Sequence, residues 1–158
     1  MEPFPASPEP EHRPDDRGPA PASVQNAVRL IWASVALSVL GAVLSFVMLD
    51  DLIDTVLEGT NELTRDQARV GIIGSVVVGV VIGVALAALL AVFIGRGANW
   101  ARIVWTVLAV LGLVFSLPAI GNQPPIALVQ QLVGLALTVA ILVLLYRPES
   151  NRYFTKKA

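Results

Sequence analysis

A chain of 158 residues that is 55% hydrophobic, with mean hydropathy +0.71, carries more apolar surface than a water-soluble fold of its size can hide. It has no cysteine, which excludes disulfides, thiolate metal ligation and thiol catalysis. The net charge of −1 leaves no excess for binding polyanions, and no basic patch points to nucleic acid.

Residues 1–22 hold seven of the eleven prolines, interspersed with acidic and small residues. Such a stretch has too little apolar surface to offset ordering entropy, so a disordered tail is expected. The Pro5–Pro8 spacing has the form of a polyproline ligand, although composition alone accounts for it. Glu2, Glu9, Glu11, Asp15 and Asp16 outnumber Arg13 and Arg17, whereas a secretory leader begins with a basic segment.

Four apolar runs follow, at about 27–49, 70–94, 100–117 and 126–146. Each is near the ~20 residues that ~30 Å of hydrocarbon requires at 1.5 Å per residue. Ser23 is the expected N-cap of the first helix. The apolar positions Leu52, Ile53, Val56 and Leu57 share a helical face, so the helix is expected to continue beyond the bilayer and stop at Gly59. Thr64 and Gln67 form a capping box ahead of the second run, which makes the first two spans a hairpin with a projecting tip. Asn99 is the expected cap of the third helix, Pro118 lies at its far end, and Asn122-Gln123-Pro124-Pro125 makes a turn. Pro125 suits the first turn of the fourth helix and Pro148 marks its end, leaving 149–158 as a basic cytoplasmic tail. The expected fold is an all-α, four-helix transmembrane bundle over 23–148.

Lysine and arginine set the orientation. With both termini inside, nine of them (Arg13, Arg17, Arg29, Arg96, Arg102, Arg147, Arg152, Lys156 and Lys157) face the cytoplasm, against Arg65 and Arg69 outside. Trp32, Trp100, Trp105 and Tyr146 fall near the same inner interface, where amphipathic rings anchor. The location implied is the plasma membrane.

The second run places Gly71, Ser75, Gly79, Gly83, Ala87, Ala91 and Gly95 in one register of four. Leucine against leucine gains little in lipid, so helices associate there through close backbone approach at small residues. The row is expected to form a groove for the first span, which offers Ser34, Ser38 and Ala42, with self-association of the chain as the alternative. A spacing of four drifts about 40° per step, so one neighbour cannot follow all seven positions.

Chemistry is sparse. The runs contain no ionisable residue beyond their ends, where Arg29 can snorkel to the headgroups. The lone histidine, His12, lies in the tail. No nucleophile–base pair, metal spacing or phosphate loop is present, so neither a cofactor nor an enzymatic activity is expected. Gln130, Gln131 and Thr138 form a polar strip that either lines a solute path or bonds neighbouring helices. The arginines at the inner ends suit topology determination or anionic lipid, and the acidic tip from Asp50 to Asp66 has no calcium-loop spacing.

Three stretches, PASVQNAVRLIWASVALS at 21–38, GANWARIVWTVLAVLGL at 97–113 and YRPESNRYF at 146–154, resemble a group of small four-span membrane proteins of high-GC Gram-positive bacteria. The most distinctive part is the ending Ser150-Asn151-Arg152-Tyr153-Phe154, expected to lie on the inner headgroups. The resemblance implies four spans and no established activity. The function expected is therefore that of a multi-pass membrane protein acting through helix packing, on lipid, a second copy or another membrane protein, the alternative being a small oligomeric channel or transporter.

Overall fold

The computed structural model describes residues 19–60, 62–117 and 125–155. These are all-α: α1 (Ala22–Val47), α2 (Leu49–Gly59), α3 (Arg65–Gly95), α4 (Asn99–Ser116), α5 (Pro125–Leu145) and α6 (Pro148–Thr155). Four of them, α1, α3, α4 and α5, are long and apolar enough to cross a membrane. The expectations for the proline-rich segment 1–18, for Pro118, for the turn at 122–124 and for Lys156 and Lys157 lie outside the described residues. Helix α1 is the central element, flanked by α3 and α5, while α4 touches the others more sparsely.

The first helix does not run on into the tip. Met48, at φ −99° and ψ 21°, interrupts it, and α2 starts afresh with Asp50 and Asp51 in its first turn. Carboxylates favour a helix N-terminus, so the acidic pair that closes the apolar run also favours a new start. The tip therefore folds against α3 instead of projecting as one continuous rod. Ile53 of α2 and Ala68 of α3 are buried at this hairpin end. Arg65 reaches Asp54 at 2.7 Å and Asp50 at 3.6 Å, but all three side chains are more than half exposed, which makes these ion pairs weak. The capping box forms as expected: Thr64 Oγ1 accepts from the Gln67 backbone N–H at 3.3 Å, and Gln67 Oε1 accepts from the Thr64 N–H at 2.9 Å.

At the opposite end two caps differ from expectation. Pro21, not Ser23, precedes α1, and Ser23 lies within the first turn, buried with its hydroxyl 2.9 Å from that of Ser150. Ala98, not Asn99, precedes α4. The cause is the way α3 ends. Gly97 at φ 79° allows the Gly97 N–H to reach the Ile94 carbonyl and the Ala98 N–H to reach that of Phe93, the paired bonds of a Schellman motif. That motif uses Ala98 as its last residue, and the Ala98 carbonyl then accepts the first bond of α4 from Ala101.

Pro125 opens α5 as expected, whereas Pro148 begins a further helix instead of a tail. Helix α6 is tied in by the carbonyls that end the neighbouring helices, which intrahelical bonds cannot satisfy. Ser150 donates to the Leu144 carbonyl (2.6 Å), Asn151 to that of Tyr146 (3.2 Å) and Tyr153 to that of Gly95 (3.0 Å). Arg102 completes the joint. Its Nη1 donates to Asn151 Oδ1 at 2.7 Å, and its guanidinium carbon lies 4.5 Å from the Tyr146 ring centroid and 5.1 Å from that of Phe154. Tyr153 and Phe154 are buried in the protein, so they do not lie on headgroups as the sequence suggested.

The main apolar core sits at this same end. It joins Val24, Ala27 and Ile31 of α1 to Leu90, Ala91 and Ile94 of α3, with Ala101, Ile141 and Leu145 from α4 and α5. Toward the hairpin end the helices expose long apolar faces.

Lysine at position 102 keeps the charge but loses the planar fork and most of the ring stacking. Arg102→Lys is expected to loosen α6 and raise the rate of tryptic cleavage after Arg152 by about tenfold, which corresponds to ~1.4 kcal/mol of local opening. An unchanged cleavage rate would show that the other carbonyl caps suffice.

Candidate functional site

Between the packed end and the hairpin end the helices part around a cleft with two lobes. One lobe, about 500 Å³, lies between α1, α3 and α4; the other, about 540 Å³, lies between α1, α4 and α5. They share Ser34, Ser38, Trp105 and Leu108, so α1 forms a common floor and α4 a common roof. The sparse contacts of α4 are the structural origin of this space.

The small-residue row meets the first span, but without the close approach expected of it. Ser75, Gly79, Gly83 and Ala87 face Ser34, Ser38 and Ala42 across the first lobe. A Cβ added at Gly71, Gly79, Gly83 or Gly95 would meet nothing within 4 Å. At Gly79 and Gly83 the row thus borders a space, whereas Ala87 and Ala91 pack at the core that α1 shares. Its angular drift shows as well: Ala91 belongs to the apolar core, while Gly71 and Gly95 lie outside the cleft lining.

The tight glycine contact occurs elsewhere, at a position the row did not single out. A Cβ on Gly41 of α1 would collide with the Gln130 side-chain amide of α5. Gln130 Nε2 also points to the Leu37 carbonyl at 3.4 Å, one turn before Gly41. Gly41 thus leaves room on α1 for a side chain of α5 to reach the α1 backbone. Gly41 was not among the small residues that the sequence singled out on the first span. Its role depends on which helix pairs with α1, and the local sequence does not carry that.

All three residues of the polar strip line the second lobe, together with Gly134. Each has a bond to backbone. Gln131 Nε2 donates to the Ser116 carbonyl at 2.7 Å, satisfying the last turn of α4, and Thr138 donates to the Gly134 carbonyl of its own helix at 2.9 Å. Gln131 Oε1 is buried without a partner.

The eight expected anchors divide into two groups. Trp32, Trp100 and Tyr146 are nearly half exposed, Arg29 bonds Asn26 at 3.4 Å, and Arg96 and Arg147 are exposed near the packed end. Arg102 is held by α5 and α6, as described. Trp105 differs most: it lies between helices, lining both lobes, with its indole N–H buried and unbonded. Its ring is therefore held among the helices and not presented as an exposed anchor.

Chemically the cleft is neutral, since no acidic or basic residue lines either lobe. Among the described residues no group of three or more potential metal ligands comes together. The cleft can hold an uncharged apolar body, accept hydrogen bonds from it at the hydroxyls and donate one to it from the unbonded Trp105 indole N–H. Comparison of the chain with protein-family models, curated proteins and solved structures found no match.

The Gly41–Gln130 contact makes a double-mutant cycle informative. Gly41→Ala is expected to cost about 1 kcal/mol more in the parent chain than in a Gln130→Ala background, within the range of side-chain bonds between membrane helices. Unfolding titrations in detergent measure both arms, and equal costs would remove the contact from the account.

Proposed function

We propose that the protein is a multi-pass integral membrane protein of the cell membrane, with both termini cytoplasmic, that works through contacts inside the bilayer and not through catalysis. One observation carries this reading. In the apolar windows of its four long helices only 6% to 17% of residues are buried within the protein, so their surface requires hydrocarbon or other helices as cover.

The orientation is supported by charge. Arg29, Arg96, Arg102, Arg147 and Arg152 gather at the end that carries α6, against Arg65 and Arg69 at the hairpin end. The non-catalytic reading is supported by the neutrality of the cleft. A solute path is the second reading, favoured by the position of Gln130, Gln131 and Thr138 in one lobe. Their backbone bonds weigh against it, because groups already committed to helix carbonyls contribute less to a conducting path.

Absence of native cysteine makes topology directly measurable. Single cysteines at Ser7, Thr60, Asn122 and Thr155 are expected to react with an impermeant maleimide from inside, outside, outside and inside. Ser150 is unsuitable because it is buried. Labelling of Thr155 from outside, or of Thr60 and Asn122 from different sides, would overturn the topology. Liposomes holding the protein are expected to leak small solutes no faster than empty ones; a flux abolished by Gln131→Leu would favour the channel instead.

A further inference from the structure

We infer that the cleft beneath α4 is a binding site for an uncharged lipophile bearing a hydrogen-bond donor, of the class of long-chain or isoprenoid alcohols. The inference rests on the membrane reading above and assigns a ligand to the same site.

Three observations select this chemistry. The first is size: each lobe, at about 500 Å³ and about 540 Å³, falls in the range of small-molecule sites, and Ser38, Gly79 and Gly83 are exposed to the space between the helices. In hydrocarbon such a space is filled by an apolar molecule, because an empty one forfeits dispersion contacts along its whole lining. The second is charge: with no acidic or basic side chain in either lobe, neither a cation nor an anion finds a counter-charge.

The third is the direction of the hydrogen bonds. Six hydroxyls border the cleft, and each donates its single proton to a carbonyl of its own helix. Ser34 bonds Ile31, Ser38 bonds Ser34, and Ser45 bonds Gly41, at 2.7 to 2.9 Å. Ser75 bonds Ile72, Ser116 bonds Leu113, and Thr138 bonds Gly134, at 2.9 to 3.0 Å. A hydroxyl has one proton and two lone pairs, so these oxygens remain able to accept but not to donate. A plain acyl chain would fill the volume and leave these acceptors unused. An alcohol head supplies the missing proton and its oxygen can accept from the Trp105 indole N–H, while its tail lies along the small-residue wall formed by Gly79, Gly83 and Ala87 of α3.

Trp105, which lines both lobes, reports occupancy. The test uses the full chain in lipid nanodiscs with Trp32→Phe and Trp100→Phe, so that Trp105 is the only tryptophan remaining. The probes are 1-dodecanol and its methyl ether, which differ only in the donor proton and its methyl replacement. Dodecanol is expected to shift Trp105 emission saturably, with an apparent affinity at least about tenfold tighter than the ether, one hydrogen bond's worth. Gly83→Leu, whose added Cβ has open space, is expected to fill the cleft and abolish the saturable response with helix content unchanged. Ser38→Val provides a second variant should Gly83→Leu fail to fold, and is expected to reduce the preference for alcohol over ether.

A linear, unsaturating response to both probes, or equal affinity for the two, would overturn the inference. So would a saturable response that survives Gly83→Leu in a folded chain. Because nanodisc insertion and helix content are read in the same samples, failure of ligand binding is distinguished from failure of the membrane reading.

Discussion

The structure depends on what happens to the carbonyls that end α3 and α5. Helix termini leave such groups unpaired, and where protein covers them water does not satisfy them. Here the short α6 supplies Ser150, Asn151 and Tyr153 to the carbonyls of Leu144, Tyr146 and Gly95. Arg102 joins α4 to this arrangement through Asn151 and the rings of Tyr146 and Phe154. The apolar core, from Val24 and Leu90 to Leu145, lies against the same joint. One end of the bundle is thereby fixed, and α3 and α4 draw away from α1 beyond it.

That asymmetry accounts for the cleft. With α4 held at one end by Arg102 and at the other by the Gln131 bond to the Ser116 carbonyl, its middle is free to stand off from α1. Small residues on α1 and α3 would permit a close crossing, but among the glycines of the described long helices the one in close contact is Gly41, against the Gln130 side chain of α5. The serine and glycine faces consequently surround a neutral space.

Features that depend on local sequence were legible in advance. The four long helices, the Thr64–Gln67 capping box and Pro125 at the start of α5 each follow from residues within a few positions of one another. Features that depend on distant partners were not. Asn99 has the side chain of a cap, but the Schellman ending at Gly97 shifts the boundary by one residue. Ser150-Asn151-Arg152-Tyr153-Phe154 looked like a tail because its partners lie on α1, α3, α4 and α5. The distinctive stretches at 97–113 and 146–154 meet in space through Arg102, which neither stretch reveals alone. Trp105 illustrates the same limit: a tryptophan near a span's end suggests an interface, yet its position on α4 turns it toward the cleft.

Helices α1 and α3 converge at the end carrying α6 and part around the cleft in the middle of the bundle. Spin labels placed singly along the α3 row in lipid read this directly, at Gly79 and Gly83 beside the cleft and at Ala91 and Ile94 in the core. Mobile labels open to lipid-soluble oxygen are expected at 79 and 83, and immobilised, oxygen-shielded labels at 91 and 94. Uniform immobilisation along the four positions would mean that α1 and α3 are packed throughout, and would contradict it.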